Sequence, residues 1–216
     1  MTELPPDIKI IDNFILPYYA DRIEDLMFVR DWTHWGWEEG STGPIYPRFL
    51  SWIYHEKVAI SYLDPNNTNK DHPQNDHPGF VKTIYNRTNG FPTERDQEAY
   101  SNFLFPMIYS AVHAYNPKLS LRDVYRIRAI LNIQQGVGRT MPHRDLAIPH
   151  TTMVYYVNDS DGPTVIFNNK MEVIVEAEPK KGRAIIFGGH RYHCGTLPEK
   201  HKERVAINVN FKAVNI

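Results

Sequence analysis

The segment Arg204-Val-Ala-Ile-Asn-Val-Asn-Phe211 sorts its residues by parity: Val205, Ile207, Val209 and Phe211 share one face of an extended chain, Arg204, Ala206, Asn208 and Asn210 the other. A period of two is the signature of a half-buried β-strand. Residues 151 to 158 divide in the same way, with Thr152, Val154, Tyr156 and Asn158 on one face. Strands are predicted at about 125 to 135, 151 to 158, 164 to 167, 172 to 176, 184 to 187 and 204 to 213. Turns at Asn158-Asp-Ser-Asp-Gly162, Asn168-Asn169 and Pro179-Lys-Lys-Gly182 separate several of them.

The first half of the chain follows another period. After a short strand at 8 to 12, Leu16-Pro17 opens an amphipathic helix to about Arg30, with Ala20, Ile23, Leu26 and Met27 at helical spacing. A second helix is predicted from about Asp96 to Ala114, carrying Phe103, Leu104, Met107, Ile108 and Val112, with Pro106 expected to kink it or displace its start. Between them, residues 63 to 93 are rich in Asn, Asp, Pro, His and Gly and read as a long loop, in which His72 and His77 are solvated. Trp32, Trp35 and Trp37 stand close together and suit either packing or a substrate surface. Helices followed by many short strands predict a mostly β fold with flanking helices, a double-stranded β-helix (jelly roll) with the helices packed on its major sheet. The expectation is one domain over 1–216, with 1–117 as helical support and loop and 118–216 as the jelly-roll core.

Composition narrows the function classes. Lys plus Arg (24) nearly balances Asp plus Glu (25), so nothing supports nucleic acid as a partner. The start, Met1-Thr-Glu-Leu-Pro-Pro-Asp7, has no basic or apolar leader pattern, no apolar run approaches a membrane span, and Cys194 is the single cysteine. A cytoplasmic protein is expected, with Cys194 as a buried, inert thiol.

The candidate chemistry lies in His143-Arg144-Asp145, followed by His193 and then Arg204. In extended chain His143 and Asp145 point the same way, and a cross-strand neighbour can bring in His193. Two imidazoles and one carboxylate on one metal face are the ligand set of non-heme Fe(II) oxygenases. His190 competes for the third position from within the turn Gly188-Gly-His-Arg-Tyr-His193, and His193 is preferred because the chain resumes toward the next strand after it. Zinc is the rival metal, but neither an H-E-x-x-H helix nor a second cysteine is present. His143-Arg-Asp-Leu146 also spells the catalytic-loop motif of protein kinases; the required Asn is replaced by His150, and no D-F-G follows. An inward Arg204 needs an anion, which either a dicarboxylate cosubstrate or an internal acid would supply.

In this order, His143-x-Asp145, His193 and Arg204 resemble the 2-oxoglutarate- and Fe(II)-dependent oxygenases, specifically their prolyl 4-hydroxylase-like branch. Met153-Val-Tyr-Tyr-Val-Asn158, Arg204-Val-Ala-Ile-Asn-Val-Asn-Phe211 and Asp12-Asn-Phe-Ile-Leu-Pro17 carry the likeness, which is convincing over about 125 to 213. The resemblance implies Fe(II) on His143, Asp145 and His193, and 2-oxoglutarate held by Arg204 and Tyr156. Gln134 falls where a tyrosine often helps hold the cosubstrate, and collagen-type members carry a lysine at the place of Arg204. It further implies an enzyme that hydroxylates a C–H bond with dioxygen, releasing succinate and CO2, with ascorbate as a further requirement. A prolyl residue of a peptide or protein is the favoured target, a small molecule the other. The retained Asp145 favours hydroxylation over halogenation, and no protein general base is implied. A non-catalytic jelly-roll binding module and a zinc-dependent hydrolase are the alternatives.

Overall fold

A computed structural model describes residues 4–28, 36–38, 79–87, 95–134, 138–140 and 142–216. The Trp32 and Trp35 side chains, His72, His77 and most of the long loop therefore lie outside the described residues, as does the Trp37 side chain. The strands are β1 (Ile8–Ile11), β2 (Gly36–Glu38), β3 (Gly79–Asn86), β4 (Leu119–Ile133), β5 (Thr151–Tyr156), β6 (Thr164–Phe167), β7 (Val173–Ala177), β8 (Ala184–Gly188), β9 (His193–Gly195) and β10 (Glu203–Asn215). The helices are α1 (Pro17–Phe28) and α2 (Arg95–Tyr115). All strand pairs are antiparallel, in a seven-stranded sheet ordered β1-β8-β5-β10-β4-β3-β2 and a three-stranded sheet ordered β7-β6-β9. This is the expected jelly roll.

The alternation read from the sequence explains why the described sheets and helices assemble. The outward set Val205, Ile207, Val209 and Phe211, with Met153, Tyr155 and Ile186 from the neighbouring strands, packs on Ile23 and Met27 of α1 and on Leu104, Met107, Ile108 and Val112 of α2. Both helices are held by burial of one apolar stripe, not by helix propensity alone. Pro106 lies inside α2 and not at its start. The missing N–H costs one intrahelical bond, and the fully buried Leu104, Met107 and Ile108 around it outweigh that loss.

The inward set faces the smaller sheet. Val154, Tyr156, Ile185, Phe187 and Ala206 of the large sheet meet Ile166, Val175 and Ala177 of the small one. This inner layer is apolar toward β8 and β1 and polar toward β4, where Arg126 and Asn132 are buried. Four strands depart from the sequence reading, two of them, β2 and β9, being short strands it did not predict. β3 arises within the predicted loop and pairs with β4, and β4 starts at Leu119, before the predicted 125, because Leu121 and Leu119 continue the pairing with Ala213 and Asn215.

Candidate metal centre

His143 and His193 are brought together by a β-bridge in which each backbone N–H donates to the other's carbonyl, at 2.9 and 3.0 Å. Their rings consequently sit with centroids 4.7 Å apart. Asp145 follows at a bend, and its carboxylate enters the same space: His193 Nε2 lies 3.5 Å from Oδ2 and His143 Nε2 3.9 Å from Oδ1. One ligand atom from each of the three residues lies within 4.8 Å of the others. Arg144 points away, its guanidinium stacked 4.5 Å from the Tyr192 ring centroid. His190 is not part of the cluster: its side chain is 63% exposed and stands 3.6 Å from Asp7 on the surface.

Two observations show that this set suits a metal. His193 Nε2 is buried and has no hydrogen-bond partner, which is costly for a polar atom unless something else binds it. Burial, partly opposed by the charge of Asp145, also pulls the His193 pKa down to about 4, so the ring is a neutral imidazole with a lone pair to give. For Asp145, burial pushes the pKa up, but His193, Arg126, His143 and the Asn210 amide outweigh it and hold the carboxyl well below its ordinary range. The carboxylate is thus ionised and acceptor-only. His193 Nδ1 faces the Arg191 carbonyl at 3.4 Å, which directs Nε2 into the pocket.

Asp145 is surrounded by donors that the cross-strand register supplies. Arg126 on β4 lies directly opposite Asn210 on β10. Its Nη2 donates to Asp145 Oδ1 at 2.7 Å, and its Nε donates to Asn210 Oδ1 at 2.9 Å. Asn210 Nδ2 donates to Asp145 Oδ2 at 2.9 Å, and Asn208 Nδ2 reaches both oxygens at 3.4 and 3.2 Å. Thr152 Oγ1 donates to Oδ2 at 3.3 Å.

Arg204 sits at the other end of the inner face of β10, 4% exposed. Nε donates to the Gly162 carbonyl at 2.7 Å, Nη2 to Thr164 Oγ1 at 2.9 Å, and Nη1 approaches Asn132 Oδ1 at 3.5 Å. Gly162 has no room for a side chain, since a Cβ would fall 2.3 Å from the Thr196 carbonyl oxygen, and the close approach keeps its own carbonyl on Arg204. Among the described residues Arg204 has no acidic partner. Tyr156 lies beneath it, with the guanidinium carbon 5.3 Å from the ring centroid. The Tyr156 hydroxyl is within 2.7 Å of Thr164 Oγ1 and 2.9 Å of the Ala177 carbonyl, and burial raises its pKa, so it is a neutral donor.

Gln134 is not brought to this cluster. It is exposed beyond the end of β4, its amide donating to the Glu199 carbonyl and its backbone N–H to that of Lys202 at 2.8 Å. Asn132, two residues earlier and opposite Arg204 in the register, faces the pocket instead. Arg126, Asn132 and Thr164 were missed from sequence. Arg126 carried a usable signal, because Arg126 and Arg128 fall on the face opposite Ile127 and Ala129 of one strand.

Fold and site together define a jelly-roll protein with a two-histidine, one-carboxylate centre and, on the same inner face, a buried arginine with no acidic partner among the described residues. Residues 129–212 match the family model described as the 2OG-Fe(II) oxygenase superfamily, and this segment contains all three ligands and Arg204. The match covers less than half of the chain and falls within the jelly-roll region. Its structure is similar to that of the non-heme alpha-ketoglutarate-dependent epimerase SnoN from nogalamycin biosynthesis (TM-score 0.58, 10% identity, 97% of this chain and 80% of that one). It is also similar to a prolyl 4-hydroxylase structure from Phytophthora capsici (TM-score 0.55, 14% identity, 97% and 59%). A third similar fold is an oxidoreductase of the 2OG-Fe(II) oxygenase family from Burkholderia pseudomallei (TM-score 0.52, 15% identity, 91% and 92%). No curated protein matches the chain. Among the described residues no helix is long and apolar enough to cross a membrane.

Proposed function

We propose that the protein is an Fe(II)- and 2-oxoglutarate-dependent dioxygenase that hydroxylates a C–H bond, with a prolyl residue of a peptide or protein as its first-choice substrate. The observation that carries this reading is the pairing of an orphaned ligand nitrogen, His193 Nε2, with a buried cation, Arg204, that has no acidic partner among the described residues. One site calls for a metal and the other for an anion, and the inner face of one sheet presents both.

His143, Asp145 and His193 would hold the metal. When bound there, Fe(II) supplies dioxygen activation coupled to decarboxylation of 2-oxoglutarate, giving hydroxylated product, succinate and CO2. Arg204 has guanidinium edge to offer a carboxylate, and Tyr156 and Thr164 stand within its hydrogen-bonding group. Phe187, whose ring centroid lies 5.0 Å from that of His193, and the apolar residues beneath it keep bulk water from the ligand side. No side chain is needed to take a proton from substrate, and none is assigned that role.

The preference for prolyl substrates rests on the segments that resemble the prolyl 4-hydroxylase-like branch, and the similar fold from Phytophthora capsici supports it. Turnover with Fe(II), 2-oxoglutarate, oxygen and ascorbate, using proline-containing peptides and a panel of metabolites, tests it. Succinate together with a mass gain of one oxygen on a peptide is the expected result. Succinate with a metabolite alone would move the substrate class, and no succinate with any substrate or without one would remove the oxygenase reading.

A further inference from the structure

Asp145 has two oxygens, and the protein treats them differently. Oδ1 takes a charge-assisted hydrogen bond from Arg126, a residue only 4% exposed, at 2.7 Å. Oδ2 takes neutral amide and hydroxyl donors, the nearest being Asn210 at 2.9 Å, and it is the oxygen closest to the unpartnered His193 Nε2, at 3.5 Å. Asn210 closes the group into a ring, accepting from Arg126 Nε at 2.9 Å while donating to Oδ2. Because Arg126 and Asn210 are direct cross-strand partners, the ring is fixed by backbone register and not by a mobile loop. A carboxylate clamped in this way cannot rotate about its own axis without breaking the strongest of these bonds.

We propose that Arg126 is a positioning residue that reserves Oδ1, so that Asp145 meets the metal through Oδ2 alone. The consequence is a coordination position kept free. A carboxylate that turned both oxygens to the metal would occupy one more position, the one a chelating 2-oxoacid needs. Arg126 thus acts on cosubstrate binding without touching cosubstrate. This inference rests on the oxygenase reading above, and the two fail differently.

The test loads wild type, Arg126→Gln and Arg126→Lys anaerobically with Fe(II), and with Mn(II) in parallel, then titrates 2-oxoglutarate. In Arg126→Gln the metal dissociation constant is expected to stay within about 3-fold of wild type while the 2-oxoglutarate constant weakens by about 10-fold or more, with loss of the visible charge-transfer band. Arg126→Lys, which keeps a cationic donor near Oδ1, is expected to recover most of the band. A merely structural role would change thermal stability and leave the cosubstrate constant of the folded fraction unchanged, and that result overturns the proposal. A crystal structure of Mn(II)-loaded wild type provides a readout that does not depend on a variant folding. Ligation through Oδ2 with Arg126 still on Oδ1 is expected, and two-oxygen ligation overturns the proposal. Absence of a band in wild type would instead remove the oxygenase reading.

Discussion

The inner face of β10 carries two buried charges that the fold handles in opposite ways. At the Asp145 end the charges are closed: one carboxylate, one guanidinium and the Asn210 amide satisfy one another before any ligand arrives. At the Arg204 end it is left open, with three neutral acceptors and no acid among the described residues. A self-neutralised site can be preorganised and still wait for a metal, whereas an unbalanced cation lowers its own free energy only when an anion binds. The Arg204 end therefore calls for an anion by the charge it leaves unbalanced, and the Asp145 end for a metal by the unpartnered His193 Nε2.

Swapping one arginine at a time for an apolar residue is the sharpest way to break this contrast. Arg126→Met strands a buried carboxylate and is expected to cost the metal-free protein about 3–5 kcal/mol, whereas Arg204→Met strands no acid and should cost about 1 kcal/mol or less. Chemical denaturation of the two variants measures this, and equal losses would show that the ends are not different in kind. Acid comes next in size. His193 accepts a proton near 4 when folded and near 6.5 when unfolded. The unfolded chain therefore binds more protons as the pH falls between those values, and the metal-free fold loses on the order of 3 kcal/mol across that window. Flat stability from pH 6.5 to pH 4 would place His193 outside the buried ligand set. For the cosubstrate, Arg204→Met is expected to weaken 2-oxoglutarate binding by about 10- to 100-fold, the worth of hydrogen bonds between charged groups, with metal affinity unchanged. Equal cosubstrate affinity would make Arg204 structural. The smallest effect belongs to Cys194, buried beside Val165, Phe167 and Tyr192, where burial pushes the thiol up to about 11. It should resist alkylation at pH 8 in the folded protein and react fully on unfolding.

How far the sequence could be read follows from the same contrast. His143, Asp145, His193 and Arg204 were legible because each belongs to a local pattern: a residue pair two apart, a glycine-flanked turn, a strand of strict parity. The jelly roll was legible for the same reason, and the parity of β10 correctly assigned its outer face to the helices. What escaped was set by register. Arg126 reaches Asp145 only because β4 pairs with β10 so that Arg126 faces Asn210, and bulges follow that pair. Likewise Asn132, not Gln134, stands beside Arg204, since the pairing ends one residue before Gln134, which turns to the 199–202 loop. β3 was hidden because its apolar residues sit in a stretch dominated by turn formers, and its pairing with β4 is a tertiary choice.

The most direct test of the whole account is an anaerobic titration of 2-oxoglutarate into Fe(II)-loaded wild-type protein, followed by visible absorption beside the Asp145→Ala variant. A charge-transfer band that saturates near one equivalent in wild type and never forms in Asp145→Ala is the predicted result. No band in wild type, or an undiminished one in Asp145→Ala, would contradict it.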